Sequence, residues 1–166
     1  MIIELDKWKL EDADSLMHIC NHVDRQYLSD RIPYPYTMDS ANWWLNMVFE
    51  NEGKCALFRK IVVDGEIVGT ISVEQKSDVY RKDAEIGYFL LSEYYTKGIM
   101  SKAVSMICDL AFEELDIVRI TGLVYEGNIA SRRVLEKNNF VLEGIMKNAV
   151  VKNDVLHNLC VYGKYK

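Results

Sequence analysis

One stretch constrains the fold of this chain more than any other. It runs Ala84-Glu-Ile-Gly-Tyr-Phe-Leu-Leu-Ser-Glu-Tyr-Tyr-Thr-Lys-Gly-Ile-Met-Ser-Lys-Ala103. Glu85 to Leu91 is short, aromatic and apolar, as a buried strand is, and Ser92-Glu93 stops it. After a turn through Gly98, a helix is predicted to about Leu115. Ile99, Ala103, Met106, Ile107 and Leu110 form one face of it, and Lys102, Ser105, Asp109 and Glu113 the other. A strand that feeds a helix through a glycine-bearing turn is either a plain joint or an anion site. The first amides of the helix have no intrahelical acceptor, and the helix dipole favours negative charge there. Gly98 permits close backbone approach, and Lys97 and Ser101 are candidate extra donors. No G-x-G-x-x-G occurs, and Lys97 precedes Gly98, whereas a Walker loop needs lysine after glycine.

The flanking pattern supplies the rest of a mixed sheet. Ile2 to Lys7 reads as a strand and Glu11 to His22 as a helix with Leu16, Ile19 and Cys20 on one face. Both prolines fall in Asp24 to Thr37, which is therefore an extended loop. Asp39 or Ser40 is the expected cap of a helix to about Glu50. Cys55–Val63 and Glu66–Glu74 flank Asp64-Gly65, a strong hairpin signal. Arg119–Tyr125 is a strand, Asn128 opens a short helix ending at Asn138-Asn139, and Phe140–Lys147 and Val155–Tyr165 are two strands joined at Lys152-Asn153-Asp154. The order indicates an α/β (α+β) domain spanning residues 1–166.

Composition narrows the function. With 49% hydrophobic and 27% charged residues among 166, the chain is an ordinary globular one. No apolar run approaches the ~20 residues of a membrane span, and no basic-then-apolar leader opens the chain, so a soluble, cytoplasmic protein is expected. Cys20, Cys55, Cys108 and Cys160 form no C-x-x-C pair and are expected to be buried free thiols. His18 and His22 are i,i+4 on a helix, but no third ligand is evident, so no metal is expected. The formal charge of −5 argues against nonspecific nucleic-acid binding and mildly favours cationic partners.

A second signature lies in Glu126-Gly-Asn-Ile-Ala-Ser-Arg-Arg-Val-Leu-Glu-Lys-Asn-Asn-Phe140. Asn128 stands where a helix cap belongs. Ser131 stays near that end, and the apolar Leu135 one turn on directs it toward the core or a cleft. Arg132 and Glu136 are spaced as an exposed i,i+4 pair. From the helix alone, Ser131 is either functional or a bystander to capping by Asn128.

Together, Ala84-Glu-Ile-Gly-Tyr, Tyr95-Thr-Lys-Gly-Ile-Met-Ser-Lys-Ala and Asn128-x-x-Ser-x-x-Val-Leu-Glu-Lys-x-x-Phe resemble the GNAT superfamily of acetyl-CoA-dependent N-acetyltransferases, most of all its ribosomal-protein (Rim) type. The resemblance is strongest from Asp83 to Asn148 and weaker in the Tyr34-Pro-Tyr-Thr loop and at Val161-Tyr162-Gly163. It implies a twisted, mostly antiparallel sheet of about seven strands, about four helices and a splayed strand pair forming the acetyl-CoA cleft. It also implies roles. The backbone of Phe89, Leu90 and Leu91 would pair with the pantetheine amides, and Lys97, Gly98, Ile99, Met100 and Ser101 would hold the pyrophosphate. Asn128 would bond the pantetheine arm, and Ser131 would lie near the thioester sulfur. The family usually has Gln or Arg in place of Tyr95, Gly or Ala in place of Met100, and Gly in place of Asn139. Met100 must therefore point away from the phosphates, and Asn139 must serve as a left-handed helix end.

The implied activity is acetyl transfer to a primary amine of a protein N-terminus, a polyamine or a small molecule, by direct attack in a ternary complex. Glu85 is the candidate base, acting through water, or else a structural carboxylate. Ser131 is the candidate donor to the leaving thiolate, because Leu135 occupies the place where some relatives carry a tyrosine acid. Tyr34, Tyr36, Trp43 and Trp44 are candidate acceptor-site residues, their rings suited to an ammonium. Adjacent Trp43 and Trp44 point about 100° apart, so either one anchors the helix while the other faces the cleft, or all four rings only pack the first helices onto the sheet. The alternative is a non-catalytic CoA-binding sensor or interaction module of the same fold. A monomer or homodimer is expected, with no nucleic-acid or membrane partner.

Overall fold

Every residue of Ala56–Val63 is buried, and its alternate side chains enter two different cores. Leu57 and Ile61 join one apolar cluster, while Ala56 and Phe58 join another. A strand buried on both faces needs helices on both sides of its sheet, and that is the arrangement found. The structure, a computed structural model, describes every residue from Met1 to Lys166.

The strands are β1 (Ile3–Lys7), β2 (Ala56–Val63), β3 (Glu66–Gln75), β4 (Asp83–Leu90), β5 (Arg119–Tyr125), β6 (Val141–Lys152) and β7 (Val155–Tyr165). They form one seven-stranded sheet in the order β1-β2-β3-β4-β5-β7-β6. All neighbours are antiparallel except β4 and β5. Helices α1 (Ala13–His22) and α2 (Met38–Asn51) cover one face through Leu16, Cys20, Leu45 and Val48. Helices α3 (Ile99–Glu114) and α4 (Ile129–Lys137) cover the other through Ile99, Ala103, Ile107 and Leu135. The expected sheet and helices are all present. Asp64 and Gly65 both have positive φ, 49° and 87°, as the two-residue hairpin between β2 and β3 demands.

Four local expectations are corrected. A 3-10 turn at Leu10–Asp12 precedes α1, because the Asp12 carboxylate turns inward to accept from the Lys9 amide (2.8 Å) and from buried Lys60 Nζ (2.7 Å). Thr37, not Asp39 or Ser40, caps α2, its Oγ1 accepting from the Ser40 amide at 3.1 Å. On α3, Val104, Cys108 and Ala111 join the buried face, while Met106 and Leu110 sit on its flank. Arg132 and Glu136 do not pair directly. Arg132 Nε donates to the Tyr162 hydroxyl (3.0 Å), which itself donates to Glu136 (2.8 Å).

All four cysteines are free, and Cys55 is exposed rather than buried. His18 and His22 stack at 4.2 Å between ring centroids. No group of three or more His, Cys, Asp or Glu converges, and no helix is long and apolar enough to cross a membrane.

Candidate active site

The site begins where two strands part. β4 pairs with β5 only from Asp83 to Ile86, although β4 runs on to Leu90 and β5 to Tyr125. Beyond Ile86 one edge of β4 is open. The ladder on its other edge decides which groups face the gap. The Lys76 amide donates to the Asp83 carbonyl (2.9 Å) and the Leu91 amide to the Val68 carbonyl (3.0 Å). Antiparallel ladders alternate, so Glu85, Gly87 and Phe89 spend their backbone groups on β3, while Tyr88 and Leu90 turn theirs into the gap. Of the expected trio, Leu90 alone presents free backbone; Phe89 and Leu91 do not, and Tyr88 takes their place. Strand phase depends on cross-strand register, which local sequence does not reveal.

The gap opens into a cleft of about 650 Å³. One wall is the start of α3. Gly98 has φ +75° and ψ 2° and provides no side-chain cap. The Lys102 amide is the first to find its helical acceptor, the Gly98 carbonyl at 3.1 Å. The amides of Ile99, Met100 and Ser101 have no partner within the protein, so they can receive an anion, with the dipole adding to the attraction. Gly98, Ile99, Met100 and Ser101 all line the cleft; Lys97 does not, its Nζ lying 5.3 Å above the Tyr94 ring. Met100 is half-buried and packs against the large core, which accommodates its bulk.

The opposite wall is α4. Asn128 caps it, accepting from the Ser131 amide at 3.3 Å. Leu135 is fully buried, and one turn earlier Ser131 is half-buried in the cleft. Its hydroxyl lies 2.8 Å from that of Tyr88. Burial pushes the Tyr88 phenol up to about 12, so it keeps its proton at neutral pH. Tyr88 belongs to the Ala84–Tyr88 motif, yet its partner lies far away in sequence, and the contact was not foreseen. Arg133 and Lys137, one turn apart on α4, also line the cleft and give it positive charge. They were likewise missed, since basic residues on a short exposed helix look like solvated surface. At the far end of α4, Asn139 adopts φ +65°, as expected of a left-handed stop. Beside it Asn138 Nδ2 donates to the Ser101 carbonyl (3.1 Å) and hydroxyl (3.3 Å), tying the two walls together.

On the other face of the sheet lies a second cavity, of about 310 Å³, between α1, α2 and the loop before α2. Tyr36 and both tryptophans, Trp43 and Trp44, line it, rather than one of the two. Trp44 is also the anchor, meeting Trp8 edge-on at 5.5 Å and Phe58 at 5.9 Å, while Trp43 is exposed. Tyr34 is outside; its ring lies under the Arg25 guanidinium at 5.2 Å, in solvent. The loop is held by Asn21, which accepts from the Tyr36 amide (2.7 Å) and donates to the Tyr36 carbonyl (2.9 Å), and by Lys152, bonded to Asp30 at 2.7 Å. The Cys20 thiol forms part of the wall. Burial pushes it up to about 12, so it is not a nucleophile at neutral pH.

Phe89 lines both cavities. Its backbone passes so close to Gly69 on β3 that a Cβ there would stand 2.5 Å from the Phe89 carbonyl oxygen. Glu85 shares the strand face of Phe89 but lines neither cavity. They are four residues apart, and the one position between them on that face is exposed, side-chain-free Gly87. At roughly 3.3 Å per residue, the two lie about 13 Å apart along the strand. Burial holds the Glu85 carboxyl above its usual range; Lys76 and Arg31 oppose the shift, and Glu74 and Asp83 add to it.

Known proteins resemble this chain in sequence and in fold. The family profile described as "Acetyltransferase (GNAT) domain" matches residues 3–141. A putative ribosomal N-acetyltransferase, YdaF of Bacillus subtilis (strain 168), is 36% identical over 106 residues, covering 64% of this chain and 57% of that protein. A probable N-acetyltransferase of the same organism, YjcK, is 42% identical over 92 residues, covering 55% and 51%. The matched stretch thus spans a little over half the length of these relatives. Among solved structures, RimL, a ribosomal L7/L12 alpha-N-protein acetyltransferase in complex with coenzyme A, superposes with a TM-score of 0.86 at 24% identity, covering 98% of this chain and 93% of that one. The family match over most of the sequence, with a parted strand pair and an uncapped helix start beside it, has one meaning: the chain belongs to the GNAT acetyltransferase family.

Proposed function

We propose that this protein transfers an acetyl group from acetyl-CoA to a primary amine by direct attack. One observation carries the reading: the two cavities share Phe89, beside the open edge of β4, as a lining residue. A donor laid in the larger cleft and an acceptor in the smaller one would bring their reacting ends together there, without a covalent enzyme intermediate.

The residues fit the donor. The amides of Ile99, Met100 and Ser101 would receive the pyrophosphate, with Arg133 and Lys137 adding charge. The free backbone of Tyr88 and Leu90 would bond the amides of the pantetheine arm, and Asn128 would reach it from α4. Bound acetyl-CoA supplies an activated acyl carbon and a thiol leaving group. At that carbon, an amide of the open strand would stabilise the developing oxyanion. Ser131, backed by Tyr88, would donate a hydrogen bond where the thiolate forms. Glu85 would take the ammonium proton through water above Gly87.

Incubating the protein with acetyl-CoA and a panel of amines, and measuring released thiol, tests the reading. Amine-dependent thiol release is expected for at least one class; its absence across the panel would favour a non-catalytic CoA-binding domain.

Glu85 makes a pH prediction. A base acts only when ionised, and burial raises this carboxyl. Activity should therefore fall as pH drops through a value above the ordinary Glu pKa of about 4.3. Glu85→Gln should lower kcat by roughly 10²-fold and abolish that acidic limb. An unchanged pH profile in the folded variant would leave Glu85 a structural residue.

A further inference from the structure

The chemistry of the smaller cavity specifies an acceptor more narrowly than "amine", provided the transferase reading holds. Its walls are apolar and aromatic, from Leu16, Ile32, Tyr36, Trp43, Trp44 and Phe89. One lining residue carries a charge at neutral pH, and that residue is Arg31. Its guanidinium makes no ion pair, hydrogen bond or ring contact elsewhere in the protein. The other arginines near the site are engaged: Arg25 holds the Cys20 carbonyl at 3.2 Å, and Arg59 pairs with Glu52. In a chain of formal charge −5, exposed Arg31 thus brings one unpaired positive charge to the mouth of this cavity.

This charge selects among amines. A polyamine would bring two or more ammonium groups to a cavity whose lining contains no carboxylate. A polypeptide N-terminus has its first carboxylate locked in a peptide bond, and so offers Arg31 only a neutral carbonyl there, without charge or two-pronged pairing. A free amino acid offers both an amine and an anion, and guanidinium binds carboxylate in a two-pronged geometry. At about 310 Å³ the cavity is at the small end of ligand sites, which run from ~300 to ~1,000 Å³. It suits one bulky residue rather than a length of chain.

We propose that the acceptor is a free α-amino acid with a large apolar side chain. Arg31 binds its carboxylate, the tryptophan-lined wall takes its side chain, and its amine lies at Phe89. In the transfer the ammonium gives up one proton, and its nitrogen bonds to the acetyl carbon. The carbon–sulfur bond then breaks with its electron pair on sulfur, and nitrogen loses a second proton. One of these protons ends on the thiol and the other in solvent, giving an N-acetyl amino acid, free CoA and one net proton.

The test uses the purified protein, acetyl-CoA and five probes: L-phenylalanine, L-phenylalaninamide, phenethylamine, spermidine and a phenylalanine-led tetrapeptide. Thiol release gives kcat and KM, and calorimetry gives acetyl-CoA affinity. Phenylalanine should exceed the amide and phenethylamine in kcat/KM by about tenfold or more. Arg31→Ala should raise its KM by roughly ten- to a hundredfold with little change in kcat, and shrink the acid–amide difference below about threefold. Arg31→Lys should recover part of the preference, and acetyl-CoA affinity should not move in either variant. The assignment is overturned if the amide, spermidine or the peptide matches phenylalanine, if Arg31→Ala leaves KM alone, or if acetyl-CoA binds but phenylalanine is not acetylated. Absence of acetyl-CoA binding is a separate result, and it would remove the transferase reading as well.

Discussion

Gly98→Val is expected to weaken acetyl-CoA binding by roughly a thousandfold while the protein remains folded. Gly98 sits at φ +75°, a left-handed conformation that costs a residue with a Cβ about 1–2 kcal/mol, and a β-branched residue more. Space inside the protein is not the obstacle, because a Cβ there would meet no atom within 4 Å. The strain is relieved by rotating the backbone, and that rotation re-aims the amides of Ile99, Met100 and Ser101. Each hydrogen bond from such an amide to a charged group is worth about 1.5–3 kcal/mol, so losing two accounts for the expected drop. The valine methyls would also project into the cleft that Gly98 lines. Gly98→Ala keeps the strain without the bulk and should cost less, about tenfold. Calorimetry with acetyl-CoA, beside a thermal melt of each variant, separates lost binding from lost folding. Wild-type affinity in a folded Gly98→Val protein would mean that the phosphates bind elsewhere.

How much of this was legible in the sequence follows the range of the interactions. Turn chemistry and periodicity are local, so the Asp64-Gly65 hairpin, the Gly98 helix start, the Asn128 cap and the Asn139 stop were all readable. Thr37 was misjudged because Asp39 and Ser40 cap equally well on paper, and the chain direction entering α2 decides between them. The two walls of the cleft were found separately, through motifs on α3 and α4. What joins them was not, since Tyr88 to Ser131 and Asn138 to Ser101 are side-chain contacts between distant segments. Strand phase had the same difficulty: whether Phe89 or Leu90 opens its backbone to the gap depends on pairing with β3. The aromatic cluster was visible by composition, but Tyr34 and Tyr36 are separated only by the fold, one in solvent and the other buried against α1. Arg31 was invisible because nothing local distinguishes an arginine at a cavity mouth from one in solvent.

Ser131→Ala is expected to lower kcat by roughly ten- to a thousandfold, with acetyl-CoA affinity changed less than about twofold. Helix capping does not confound this test. Asn128 accepts from the Ser131 backbone amide, which alanine retains, so α4 keeps its start. What alanine removes is the hydroxyl in the cleft, 2.8 Å from Tyr88. Because burial lifts the Tyr88 phenol to about 12, it stays protonated and serves as a donor rather than a base at neutral pH. It can donate to Ser131 Oγ and so turn the serine proton toward the place where the thiolate forms. Tyr88→Phe should then cost less than Ser131→Ala, about tenfold in kcat, because serine still has its proton but loses its orientation. The double variant should be no worse than Ser131→Ala alone, since two groups acting in series are not additive. Additive losses would mean that Tyr88 and Ser131 act independently. Full turnover in Ser131→Ala would mean that the leaving thiolate needs no donor from α4, and that Ser131 serves only to fill the wall between Asn128 and Leu135.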